Sequence, residues 1–251
     1  MAPAGACLDG VRPPQRQSPR LLLPLSLLCA AAGWLAVRPA GELVGGLAAV
    51  GATTVTDHAS GAAFPEELDK GQRLVATGVR KKFGAVKVYA VGLYLDKGSS
   101  LWHDTSPTMR VRWCWWGDAD AQAAALLKEA PGKATLRLVI TSGLATQEKI
   151  AAALRDSVEP RLLALKVAKA DADEVLQAFQ AAFLKGPALK PKSVIVFRLA
   201  KTGVEVSIGE TYRVEVKSPK LAHALLATYV DRTAVAPKFR DEIFVELQRK
   251  H

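Results

Sequence analysis

Residues Phe64–Leu95, FPEELDKGQRLVATGVRKKFGAVKVYAVGLYL, decide how this chain is read. Two apolar runs rich in β-branched residues, Leu74–Lys82 and Val86–Leu95, flank a turn at Phe83-Gly84, which is the pattern of a β-hairpin. Arg80 interrupts the first run, and Tyr89 follows inside the second. A guanidinium is not deprotonated in a protein, so a buried Arg80 has to meet an anion or a dense set of acceptors. The stretch therefore points first to an acidic ligand. The competing reading pairs Arg80 with an Asp or Glu at a sheet edge and leaves Tyr89 in the core.

Whether Arg80 and Tyr89 can meet depends on the turn, because side chains alternate along a strand. A two-residue turn at Phe83-Gly84 puts Lys87 opposite Arg80 and makes Tyr89 its diagonal neighbour on the same face. A four-residue loop places Arg80 and Tyr89 directly opposite. A three-residue loop sends them to opposite faces. Gly84 favours the tight turn.

Further strand-like runs are Met109–Trp116, Thr135–Thr141, Ser193–Leu199, Val204–Ile208 and Tyr212–Val216. Helical spacing appears in Ile150/Leu154/Val158, Val175/Phe179/Phe183, Leu221/Leu225/Tyr229 and Phe239/Ile243/Leu247. Thr146 and the pair Ser218-Pro219 read as helix starts, a cap followed in the second case by a first-turn proline. Early strands, a block of helices and a late meander argue for an α+β fold, with helices covering an antiparallel sheet.

The 251 residues suit one domain behind a leader. Residues 1–40 read as a targeting leader or membrane anchor, 41–58 as a linker, and 59–251 as the domain. The leader carries Arg12, Arg16 and Arg20, then the uncharged run Leu21–Val37 and the small residues Ala30-Ala31-Ala32. A secretory signal, a plastid-type leader and a single membrane anchor through Leu21–Val37 all fit this pattern. Net charge is +10, of which the first 40 residues supply +3; the remaining +7 reads as a solvated Lys-rich exterior in preference to a surface for anionic partners or lipid. Three scattered cysteines exclude a disulfide framework, and neither they nor the four histidines have metal-ligand spacing. The run Trp113-Cys114-Trp115-Trp116 reads as strand alternation rather than a nucleic-acid stacking platform. No phosphate loop, dinucleotide fingerprint or Ser-His-Asp motif occurs.

The segments Gly78-Val79-Arg80 and Lys87–Tyr94 resemble the opening hairpin of the chalcone isomerase fold family. Ser142–Ile150 and Lys217–Leu226 agree with later blocks of that family in the same order, so the resemblance spans about Ala59 to Asp241. It implies a curved antiparallel sheet packed against a layer of helices, an open-faced β-sandwich with a ligand cleft between. In the family's fatty-acid-binding members, the arginine and tyrosine at the positions of Arg80 and Tyr89 hold the ligand carboxylate. In the isomerases the tyrosine position is a threonine, and polar catalytic residues fall near Thr146 and Ala153. Here Ala153 offers no donor.

The expected function is non-catalytic binding of a fatty acid or similar amphipathic carboxylate. Arg80 is the charge anchor and Tyr89 the orienting hydroxyl, with Thr146 and Ser218 as further ligand contacts. Catalytic residues, a metal and a cofactor are not expected. An intramolecular lyase acting on an enone, and a membrane-tethered scaffold without ligand, are the alternatives. The first predicts polar donors converging in the cleft; the second predicts an internal carboxylate against Arg80. The family resemblance and the leader together imply a plastid setting, against the secretory pathway or a membrane anchor.

Overall fold

The computed structural model describes residues 53–82, 86–103 and 119–249. The leader, residues 41–52 of the linker, the Phe83-Gly84 turn and the Met109–Trp116 run with Cys114 lie outside the described residues. Among those described, seven strands form one antiparallel meander in sequence order. They are β3 (Glu67–Leu68), β4 (Gln72–Lys82), β5 (Val86–Asp96), β6 (Ala134–Ile140), β7 (Val194–Leu199), β8 (Val204–Ile208) and β9 (Tyr212–Val216). A separate hairpin pairs β1 (Thr54–Thr56) with β2 (Ala63–Pro65), so strand pairing already begins ahead of Ala59.

Six helices complete the described residues: α1 (Ser100–His103), α2 (Ala119–Glu129), α3 (Gln147–Ala164), α4 (Lys169–Leu184), α5 (Pro219–Val230) and α6 (Pro237–Arg249). The four apolar stripes read from sequence are α3 to α6. The alanine-rich α2 and the short α1 carry too little periodicity to be read that way. The sheet is curled into a half-barrel, and the architecture is the α+β, chalcone-isomerase-like fold. None of the described helices is long and apolar enough to cross a membrane.

One face of the sheet carries the main core. Tyr89, Val91, Leu93 and Leu95 of β5 alternate inward with Leu136, Leu138 and Ile140 of β6 and Ile195, Phe197 and Leu199 of β7. They meet the buried stripes of the helices, with Phe197 packed 5.9 Å from Phe179 of α4. Burying each such aliphatic or aromatic side chain contributes roughly 1.5–3 kcal/mol, and that is what fixes the helices to the sheet. The other face holds a small second cluster, in which Phe64 of β2 covers Leu74, Ala90 and Tyr94.

The hairpin β4–β5 departs from regular pairing in two places. Lys82 pairs with Val86 and Lys81 with Lys87, but Arg80 pairs with Tyr89, leaving Val88 as an extra residue on β5. At the other end, Leu74 pairs with Tyr94 and Ala76 with Leu93, leaving Val75 as an extra residue on β4. The register is therefore not that of the expected two-residue turn, which would set Lys87 against Arg80. The pairing near the turn alone would put Arg80 and Tyr89 on opposite faces, and the bulge at Val88 returns them to one face.

Candidate functional site

The bulge brings Arg80 and Tyr89 directly opposite each other on the helix-facing side of the sheet. Gly78, two residues before Arg80, lets helix α6 sit against β4, because a Cβ there would lie only 2.5 Å from Cβ of Phe239. Phe239 in turn meets Tyr229 of α5 edge-on, with ring centroids 6.1 Å apart. The end of α5 is tied to α3 by Arg161, whose Nε and Nη2 donate to the two carboxylate oxygens of Asp231 at 2.7 and 2.8 Å. Three helices and two strands thus hold one polar group inside an apolar core.

Within that group, Arg80 Nη1 donates to the Tyr89 hydroxyl at 3.2 Å. The Tyr89 and Tyr229 hydroxyls lie 2.8 Å apart. The guanidinium carbon is 5.8 Å from the Tyr89 ring centroid, within range of a cation–π contact. Tyr89 and Tyr229 are fully buried, while Arg80 is half-buried and opens the group on one side. Burial pushes the Tyr229 phenol well above its ordinary range, so it stays a neutral hydroxyl. Burial also works against the Arg80 charge, but Tyr89, Tyr229 and the Asp156 carboxylate outweigh it and raise the guanidinium above its ordinary value. Among the described residues no Asp or Glu forms an ion pair with Arg80. The Asp156 carboxylate therefore acts on Arg80 through space and without a direct ion pair.

Thr146 and Ser218 are placed at helix starts. The Thr146 hydroxyl accepts from Lys149 N–H at 3.4 Å and caps α3, and the Ser218 hydroxyl accepts from Leu221 N–H at 3.2 Å and caps α5. Neither hydrogen-bonds to the Arg80–Tyr89–Tyr229 group. Sequence reasoning missed Tyr229, which it took as one more member of an apolar stripe. The available signal was chemical: a tyrosine on a fully buried stripe must find a partner for its hydroxyl.

A groove of about 630 Å³ runs beside the site, between β1, β4 and α6. Its lining includes Val75, Ala76, Gly78, Val79 and Phe239, with Lys81, Lys238 and Glu242 among its charged residues. Arg80 does not line it, so the groove does not reach the guanidinium. No group of His, Cys, Asp and Glu able to hold a metal ion occurs among the described residues.

The class this architecture defines is the chalcone-isomerase-like fold. A solved structure that shares it is a fatty-acid binding protein of Arabidopsis thaliana, with a TM-score of 0.64 and 24% sequence identity, over 79% of this chain and 98% of that one. No family model matches the chain, and neither does any curated protein sequence.

Proposed function

We propose that this protein binds a fatty acid or a similar amphipathic carboxylate, with Arg80 and Tyr89 receiving the carboxylate. The observation that carries the reading is a half-buried guanidinium that bonds to a phenol and has no ion-pair partner among the described residues. Only one of its N–H groups is bonded among the described residues, so an incoming anion has donors to meet. A carboxylate can take two parallel hydrogen bonds from arginine and a third from the tyrosine. The fold it shares with a fatty-acid binding protein supports the same ligand class.

The test is calorimetric titration of decanoate into the full-length protein and into Arg80→Ala, with native mass spectrometry of co-purified lipid. Charge-assisted hydrogen bonds of about 1.5–3 kcal/mol predict roughly a 10- to 150-fold loss of affinity in the variant. Equal affinity in both proteins, or no uptake by the wild type, would overturn the assignment. The plastid setting is part of the same proposal, against the secretory pathway or an anchor through Leu21–Val37. Imaging a C-terminal fluorescent fusion separates the three.

A further inference from the structure

The two phenols at this site carry two protons but share only one hydrogen bond. Tyr89 and Tyr229 meet at 2.8 Å, and the Tyr89 oxygen already accepts from Arg80 Nη1 at 3.2 Å. Among the described residues, Tyr229 has no hydrogen-bond partner except Tyr89. If Tyr89 donated to Tyr229, the Tyr229 proton would be stranded in a core where that residue is 0% exposed. An unmade bond in such a place is the expensive outcome. The opposite direction avoids it: Tyr229 donates, Tyr89 accepts from both Tyr229 and Arg80, and the Tyr89 proton is left for an acceptor on the Arg80 side.

We propose that Tyr229 is a positioning residue that turns Tyr89 into a pure hydrogen-bond donor, so that the site selects a ligand head group made only of acceptors. With two bonds already accepted, the Tyr89 oxygen has no lone pair to offer, and a guanidinium has none at all. An ionised carboxylate fits that arrangement, since it has acceptor oxygens and no proton. A neutral carbonyl fits it without the charge. An alcohol can accept from Tyr89, but its own proton then has no acceptor, and it should be rejected beyond what its lack of charge explains. This inference rests on the carboxylate-binding reading and adds to it the discrimination between head groups.

The experiment compares wild type, Tyr229→Phe and Arg80→Ala, all full-length, for binding of decanoate, 2-decanone and 1-decanol. Phenylalanine at 229 keeps the ring against Phe239 and frees one lone pair on Tyr89. The 1-decanol to 2-decanone affinity ratio should then rise about fivefold, the worth of one recovered hydrogen bond. Thermal stability gives a second reading without ligand. Tyr89→Phe strands the buried Tyr229 proton, whereas Tyr229→Phe leaves Tyr89 bonded to Arg80, so Tyr229→Phe should melt higher than Tyr89→Phe. An unchanged ratio, or the reverse order of melting, would overturn the role of Tyr229. If Arg80→Ala still weakens decanoate binding in that case, the carboxylate reading stands alone. If decanoate binds no variant, including wild type, both fall.

Discussion

Gly78→Ala is the change that most directly tests how the site is held. A Cβ at Gly78 would lie 2.5 Å from Cβ, 2.9 Å from Cγ and 3.0 Å from Cα of Phe239. Strand and helix must part by about 0.9 Å to restore ordinary contact at 3.4 Å. Two effects oppose each other. Replacing glycine with alanine removes unfolded-chain freedom and favours the fold by about 0.4–1 kcal/mol. Overpacking a filled core costs about 1–3 kcal/mol and wins, because the obstructing Cα and Cβ of Phe239 are fixed to the helix backbone and cannot rotate away. The net loss centres on about 1.3 kcal/mol, which lowers the melting temperature by roughly 3–5 °C for a domain of this size. Thermal unfolding followed by circular dichroism measures it. Phe239→Leu keeps the obstructing Cα, Cβ and Cγ, so on that background the penalty should persist. An unchanged or raised melting temperature for Gly78→Ala, or full relief by Phe239→Leu, would refute the argument that the close approach of α6 depends on an absent side chain.

Other consequences follow from the polar groups around the core. Burial works against the Glu129 carboxylate, yet bonds from Ser100, Lys133 and Ser99 hold it at about 2 against an ordinary 4.5. The folded value is depressed, so its contribution to stability is full above about pH 4.5 and is lost as pH falls towards about 2. Glu129→Gln should flatten the acid limb of a melting-temperature profile in that window, and a limb as steep as wild type would contradict it. Ser218→Ala removes the cap of α5 and should cost about 1 kcal/mol in urea unfolding while leaving decanoate affinity within about twofold. A large affinity loss with intact stability would restore Ser218 as a ligand contact.

The strands of the late meander were legible because Val204–Ile208 and Tyr212–Val216 alternate cleanly and a Gly-containing turn separates β7 from β8. The helices α3 to α6 were legible from four-residue apolar spacing, and Ser218-Pro219 marked the start of α5 within one residue. Helix α2 was not, because ADAQAAALLKE buries only Gln122, Ala123 and Leu126 and shows no stripe. At the site, Arg80 and Tyr89 stood out by chemistry, but their geometry did not. Turn length alone could not give it, since the bulges at Val75 and Val88 are backbone events with no residue signature of their own. Tyr229 was hidden because a period of four describes where a side chain points and says nothing of what its hydroxyl needs.

The bulges at Val75 and Val88 cancel: one adds a residue to β4, the other to β5, and the two ends of the hairpin share one phase. An unbulged hairpin of identical length, with the same ends paired, is therefore a ready competitor. In it Arg80 would face Val88, while Thr77 and Val79 would turn towards α6 in place of Ala76 and Gly78. Phe239 opposes both side chains, because even a single Cβ at Gly78 would lie 2.5 Å from its Cβ. The helix thus works as a gauge that favours the slipped frame. The hairpin has two frames, one that presents its arginine to the core and one that turns it away, and a single hydrogen atom in place of a side chain weights the balance towards the first.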